Sequence, residues 1–305
     1  MVSVSYTSTM SHQRRRVSFG RLLGWAVIGL ISFVMIFPLW WVLRTALTDS
    51  GALYTNTTAL LPVDATTFNL ERVLGLVSRA DALAGGGSGA TINFSLFMRN
   101  SVVVTALSVG GQVLFSAMAA YAFARLKFPL RDRLFFLFVA ALMIPAVVTL
   151  IPNFVLIREL NWINTVQGII APRFLMTPFA VFFLRQFFLG INRELEEAAQ
   201  IDGAGYATIF WRVVLPVSAT PLITLAILLT ITEWNDYLWP LLVGRSENVR
   251  TLTVALGIFR QQTPQGLPDW AGMMGGAFVA MIPTLLLFLL LGRRTVNSIQ
   301  FGSLK

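Results

Sequence analysis

The sequence of 305 residues contains no cysteine and only two lysines. Without cysteine, the chain can form no disulfide, no thiolate nucleophile and no cysteine-based metal site. The one histidine, His12, lies in a polar N-terminal stretch, so neither a histidine metal site nor a Ser–His catalytic pair is expected. Neither Lys127 nor Lys305 belongs to the G-x-x-x-x-G-K-[ST] pattern of a phosphate-binding loop. Any ATP that serves this protein is therefore expected to bind to another chain.

Charged residues are also scarce. They make up 12% of the sequence, about half of the roughly 25% found in soluble globular domains. Hydrophobic residues make up 56%, and the mean hydropathy is +0.72. Most of the protein surface is therefore expected to face lipid.

Apolar runs divide the chain into membrane spans. A transmembrane helix needs about 20 apolar residues, and five uncharged stretches meet this length. A sixth stretch is interrupted by Arg173 and Arg185, which we expect to extend towards opposite interfaces. Six spans are favoured over five, because otherwise the segments flanking the sixth would end on the wrong sides. The predicted permease region is 22–292, with spans at 22–43, 101–124, 134–157, 166–188, 213–236 and 270–292, a connecting loop at 189–212, and tails at 1–21 and 293–305.

The first run follows a group of arginines, so an export signal is an alternative to a retained span. A signal sequence has an apolar region of about 7–15 residues, and this run is longer. It ends in the aromatic stretch 37–41, which suits an interfacial anchor better than a cleavage site. We therefore favour a retained span.

The distribution of charge predicts the orientation. With a cytoplasmic N-terminus, 14 of the 23 basic residues and five of the 14 acidic residues fall on the cytoplasmic side, and nine of each fall outside. The whole +9 net charge therefore lies inside, as the positive-inside rule requires. We expect an inner-membrane protein with both termini in the cytoplasm and no nucleic-acid partner.

The predicted outer loop, residues 44–100, contains the run Gly-Gly-Gly-Ser-Gly at 85–89. Such a composition is typical of a flexible linker. We therefore expect this stretch to be poorly ordered and its tip, residues 84–90, to tolerate deletion.

The connecting loop contains a short helical segment. Asn192 is a suitable N-cap, Glu194 and Glu196 would occupy the favoured first turn, and Gly203 would supply a left-handed stop. Two alanines would let the helix backbone approach a partner closely, and its other side chains offer apolar and charged contacts. This chemistry suits a docking helix, although an ordinary interfacial helix between two spans is an alternative.

The same segment resembles the signature of the permease subunits of ABC importers: Glu-Ala-Ala, two residues, Asp-Gly-Ala, then a spaced Phe and Pro. The matching positions are Glu197, Ala198, Ala199, Asp202, Gly203, Ala204, Phe210 and Pro216. Residues 119–125, 183–188 and 233–241 are similar to the carbohydrate branch of this family. Within that branch, the chain resembles the shorter, six-span partner of a maltose-type permease pair.

This resemblance implies an all-α type I importer permease fold, with six transmembrane helices and a cytoplasmic coupling helix. It implies that residues Glu197 to Ala204 of the signature contact the ATPase subunit, and that the protein imports a sugar or oligosaccharide. The implied partners are a second permease, two copies of an ATPase subunit that bind ATP and Mg²⁺, and an extracytoplasmic sugar-binding protein. The chain itself would bind no cofactor or metal and would catalyse no reaction alone.

A polar and aromatic cluster follows the apolar part of the fifth span. Burying a charge in the bilayer centre costs about 2.5–3.5 kcal/mol, so these acids should lie at an interface or line a polar path. Aromatic faces stack on sugar rings, and amides and carboxylates bind hydroxyls. An aromatic belt with interfacial acids is the alternative to a substrate path. The candidate residues are Glu233, Asn235, Asp236, Tyr237 and Trp239.

Three other functions are weaker alternatives. An ion-coupled transporter would use Glu233 and Asp236 as ion sites, but it would also need charges in the middle of several spans, and five of the six spans have none. A membrane enzyme would need a nucleophile–base pair or a metal cluster, which the sequence does not offer. A scaffold without transport activity is disfavoured only by the resemblance of residues 197–216 to the importer permease signature.

Overall fold

The computed structural model describes residues 19–55, 58–260, 263 and 266–300. Of the predicted terminal tails, residues 1–18 and 301–305 lie outside the described residues.

Within the described part of the chain, the regular elements are all helices, as predicted. The α-helices are α1 Phe19–Ala46, α2 Ala52–Thr55, α3 Phe68–Val73, α4 Arg79–Ala84, α5 Phe94–Arg125, α6 Arg131–Ala140, α7 Ala146–Glu159, α8 Val166–Phe174, α9 Pro178–Leu189, α10 Arg193–Ile201, α11 Tyr206–Ile209, α12 Leu215–Val217, α13 Ala219–Trp234, α14 Leu238–Val243, α15 Leu252–Leu256 and α16 Trp270–Gln300. Short 3₁₀ segments follow at Ala141–Met143 and Gly257–Arg260, and a π-helical turn lies at Phe210–Val214.

Three helices are long and apolar enough to cross a membrane unbroken, namely α1, α5 and the Trp270–Leu290 part of α16. Three bent helix pairs meet the same test jointly, which allows up to six spans in the described residues. The predicted spans at 134–157, 166–188 and 213–236 are therefore not single helices. The bends measure 99° between Met143 and Ala146, 46° between Phe174 and Pro178, and 78° between Val217 and Ala219.

Proline accounts for the first bend and marks the start of the helix that follows the second. Ile144 precedes Pro145 and has an extended ψ of 116°, and Thr177 precedes Pro178 with a ψ of 147°. The proline ring disfavours a helical conformation in the residue before it. The helical stretch before Pro145 therefore ends at Met143, whereas α8 has already ended at Phe174 and Pro178 begins α9. Apolar composition alone did not reveal these breaks.

Helix α5 is the central element, and it packs against α8, α9 and α13. Its small residues Ala117, Ala120 and Ala124 form a shared core with Leu184 and Phe188 of α9. Small residues let membrane helices approach closely. By contrast, α1 packs against α16 and is otherwise exposed, so it presents its apolar surface to lipid or to a partner.

The Gly-rich run is packed against the protein, and the prediction that it would be poorly ordered was wrong. The Ser88 N–H donates a 2.9 Å hydrogen bond to Asp269 Oδ2, and Asp269 forms a buried ion pair with Arg72. A Cβ on Gly87 would overlap the Arg72 guanidinium. The glycines thus allow the backbone to approach the buried Arg72–Asp269 pair. The contacts with this pair hold the run in place, and the composition of the run could not predict them.

Candidate functional site

The α10 helix has the local structure that its sequence predicts. The Asn192 side chain caps it by accepting a 3.2 Å hydrogen bond from the Glu194 N–H. Gly203, at φ +82°, lies just beyond its end. A positive φ strains residues that carry a Cβ, so glycine suits this stop.

The signature residues divide between two sides of α10. Glu197, Ala198, Asp202 and Gly203 are exposed, together with the apolar Leu195 and Ile201. Ala199 and Ala204 are partly buried and pack against the core formed by α5 and α9. The exposed side of α10 therefore combines apolar and acidic groups, while its opposite side packs against the membrane helices.

One residue anchors α10 to the end of α5. Arg125 Nε lies 2.9 Å from Glu196 Oε1, and Arg125 Nη2 donates to the Ile191 carbonyl at 2.5 Å. The Arg125 and Glu196 side chains are only 5% and 10% exposed. Sequence reasoning assigned Glu196 only to the first turn of α10 and missed this pair, because the two residues are far apart in the chain.

A second arginine lies close by. Arg185 Nε donates to the Phe123 carbonyl of α5 at 3.3 Å, and its guanidinium stacks 4.0 Å from the Phe135 ring centroid. Arg185 thus lies at the same end of the helix bundle as α10. The arrangement connects α5, α6 and α9 beside α10.

The polar cluster of the fifth span lies against α5 and α8. Arg173 Nη1 lies 2.8 Å from Asp236 Oδ2 and 3.6 Å from Glu233 Oε2, while Gln112 Nε2 donates to Glu233 Oε1 at 3.0 Å. The sequence analysis placed Arg173 near an interface and did not identify these two acids as its partners. Charges in an apolar environment are stabilised by pairing, and the partners are brought near Arg173 by the packing of α8, α5 and α13.

The other residues of the predicted path have different surroundings. Asn235 is exposed, and its Nδ2 donates to the Ile231 carbonyl at 2.7 Å. Tyr237 is partly buried under the Arg260 guanidinium, 5.5 Å from its ring centroid. Trp239 is buried in the core and donates to the Ile169 carbonyl at 3.0 Å. Trp239 is therefore not part of the exposed surface beside Asn235.

Within the part of the chain that the structure describes, no group of three or more histidine or acidic side chains is placed to hold a metal ion. The acids Glu233, Asp236 and Asp269 are paired with arginines.

Comparison with known proteins agrees with this arrangement. Residues 112–298 match the family described as binding-protein-dependent transport system inner membrane component. The match covers more than half of the chain and includes α10 and the polar cluster. The chain belongs to this family and is a multi-pass inner-membrane permease component.

Individual relatives align over nearly the whole chain. The arabinooligosaccharides transport system permease protein AraQ of Halalkalibacterium halodurans is 31% identical over 287 residues, covering 93% of this chain and 97% of the relative. The sn-glycerol-3-phosphate transport system permease protein UgpE of Yersinia pestis is 31% identical over 274 residues, covering 90% of this chain and 92% of the relative. A solved bacterial ABC transporter involved in the import of the acidic polysaccharide alginate has a similar fold, with a TM-score of 0.74 at 21% identity over 95% of this chain and 99% of that one.

Proposed function

We propose that this chain is the membrane subunit of an ABC importer for a sugar or oligosaccharide, and that α10 couples it to a separate ATPase subunit. The observation that carries the proposal is the two-sided arrangement of α10. Its exposed side presents Glu197 and Ile201, while Glu196 on the other side is paired with Arg125. A partner that binds the exposed side can displace such a helix, and the helix can transmit the displacement to the membrane helices.

The proposed assembly has several other components. Two copies of the ATPase subunit bind ATP and Mg²⁺ on the cytoplasmic side, and one of them docks on α10. A second permease forms a heterodimer with this chain, and an extracytoplasmic binding protein delivers the sugar. Both termini of the chain are cytoplasmic in this arrangement. The purified chain alone is expected to hydrolyse no ATP, because neither of its lysines lies in a phosphate-binding loop.

Two routes lead from α10 to the polar cluster. The first runs through Arg125 into α5, which also carries Gln112. The second runs along the chain through α11 and α12 into α13, which ends beside Glu233. Gln112 and Glu233 are hydrogen bonded to each other. A movement of α10 would therefore reach the same cluster along both helices.

The substrate class is inferred from relatives and from the cluster. The named relatives transport arabinooligosaccharides and sn-glycerol-3-phosphate, and amide and aromatic groups suit the hydroxyls and ring faces of a sugar. Asn235 and Tyr237 are the accessible candidates, since Trp239 is covered. We propose that the path runs between this chain and its partner permease, and that these residues tune affinity.

The coupling role is tested with Glu197→Lys in the reconstituted assembly. Sugar uptake is expected to fall severalfold while the chain remains inserted, because the reversed charge faces the ATPase subunit. Glu247→Lys is the matched control, since Glu247 is exposed on the predicted outer side. Normal uptake by the Glu197 variant would refute the docking role of this position.

The substrate path is tested with Asn235→Ala and Tyr237→Ala. Each is expected to raise the sugar concentration for half-maximal uptake severalfold without abolishing transport. Thr232→Ala is the control, because Thr232 is exposed on α13 and bonds only within its helix. No change in either variant would favour the aromatic-belt alternative, and complete loss with normal assembly would make the cluster a primary binding site.

A further inference from the structure

A basic cleft lies beside α10, at the junction of α5 and α6. Its cavity measures about 690 Å³ and has four basic side chains in its wall. One comes from the turn between α5 and α6, two come from the first turn of α6, and the fourth comes from the start of α10. The basic side chains are Lys127, Arg131, Arg133 and Arg193.

Most of this positive charge is not neutralised within the cleft. Its wall contains one acid, Asp132. Asp132 Oδ1 lies 3.0 Å from Arg131 Nε and 3.8 Å from Arg185 Nη2. Lys127, Arg133 and Arg193 are exposed, and none of them has an ion pair among the described residues. A compact anion of at least one negative charge would therefore be attracted by three cations.

The surroundings of the cleft indicate the kind of anion. Phe128 and Leu130 belong to its wall, and α6 continues from it as an apolar surface. On α6, Phe136 and Leu137 are 76% and 69% exposed. A helix in a membrane that exposes such residues next to a basic pocket presents the two halves of a phospholipid site, one for the acyl chains and one for the headgroup phosphate.

We propose that this cleft binds the phosphate headgroup of an anionic phospholipid from the leaflet on the α10 side, with its acyl chains along α6. The headgroup bridges Lys127 of the α5–α6 turn and Arg133 of α6 to Arg193 of α10. The lipid thus connects α10 to the membrane next to the Arg125–Glu196 pair, whose residues line the adjoining cavity. The site stands on this geometry alone, whereas any effect of the lipid on transport rests on the proposed function.

The test measures lipid binding directly, by native mass spectrometry of the full chain with phosphatidylglycerol or phosphatidylcholine. Phosphatidylglycerol is expected to be retained in preference to phosphatidylcholine. Each basic residue near a membrane surface contributes about 1 kcal/mol of attraction, so Lys127→Gln/Arg133→Gln/Arg193→Gln is expected to weaken retention on the order of a hundredfold. Arg133→Gln alone, at an exposed position, should weaken retention by several-fold if the triple variant is unstable. Arg79→Gln/Arg99→Gln/Arg158→Gln removes the same charge from exposed positions elsewhere and should change nothing.

Four outcomes would overturn the proposal. One is equal retention of the two lipids, and another is equal loss in the control variant. Displacement of phosphatidylglycerol by millimolar inorganic phosphate would make this a site for free phosphate. Exclusion of the lipid when ATPase subunits are bound would make the cleft part of the subunit interface. None of these results depends on sugar uptake, so the proposed function is tested separately.

Discussion

Arg125 and Glu196 join the last turn of α5 to the first turn of α10 through a 2.9 Å ion pair. Because Arg125 also holds the Ile191 carbonyl, the polypeptide that leads into α10 is fixed at two points. Helix α5, with 32 residues the longest in the described part of the chain, is thus connected directly to α10.

This connection predicts a charge-swap result. Arg125→Glu leaves two acids together in a covered site, and loss of one partner of a buried pair costs about 3–5 kcal/mol. We expect lower thermal stability in detergent and uptake reduced relative to ATP hydrolysis. Arg125→Glu/Glu196→Arg should restore part of both. A double variant no better than the single one would show that the pair itself does not carry the connection.

Two glycines at the end of α10 offer a matched comparison. A Cβ would meet nothing within 4 Å at either Gly203 or Gly205, but only Gly203 has a positive φ, +82°. Gly203→Ala should therefore cost about 1–2 kcal/mol through backbone strain and reduce coupled uptake, whereas Gly205→Ala should be nearly neutral. Thermal unfolding and uptake measure the two effects. Equal behaviour of the two variants would contradict the role of the left-handed stop.

The region around the Gly-rich run should lose stability in acid through Asp269. Burial by itself raises the pKa of Asp269, but hydrogen bonds from Arg72 and the Ser88 backbone outweigh it and hold the pKa below its usual range. A carboxylate with a depressed folded pKa contributes stability that is fully present above the unfolded pKa of about 3.9 and is lost as the pH falls through the folded value. The difference in Tm between the native chain and Asp269→Asn should therefore shrink below about pH 4. A constant difference down to about pH 2 would contradict the depressed pKa.

The Gly-rich run should be sensitive to change. Gly87→Ala places a methyl group on the Arg72 guanidinium, which is fully buried and paired with Asp269, so it has no free space to move into. We expect a lower Tm for Gly87→Ala and for deletion of residues 84–90. Gly110→Ala is the control, because a Cβ there meets nothing within 4 Å. Unchanged stability after the deletion would restore the prediction that the tip is dispensable.

Arg173 should be needed to hold two acids together. Arg173→Met removes the cation that lies between Asp236 and Glu233, so the remaining carboxylates repel each other in an apolar setting. The variant should unfold at a lower temperature, and Arg173→Lys should recover part of the loss. Arg158→Met is the control, because Arg158 pairs with Glu159 on an exposed surface, where such pairs contribute about 0–1 kcal/mol. Equal effects of the Arg173 and Arg158 methionine variants would contradict a role for Arg173 in stabilising the covered acids Glu233 and Asp236.

Local signals in the sequence predicted α10 closely. Its N-cap, its acidic first turn and its glycine stop depend on residues within a few positions of one another, so Asn192 and Gly203 were identified correctly. Apolar length also indicated an all-helical membrane protein. The bends were missed because an apolar run before Pro145 has the same composition whether the helix continues or ends.

The sequence by itself determined the helical class, the unbroken spans α1, α5 and α16, and the structure of α10, because periodicity, apolar length and capping act over short distances. Only the tertiary structure decided which charges are paired. Arg72 with Asp269, and Arg173 with Glu233 and Asp236, come together after distant helices pack. The burial that makes those pairs necessary is itself a product of that packing, so neither a composition nor a spacing could reveal them.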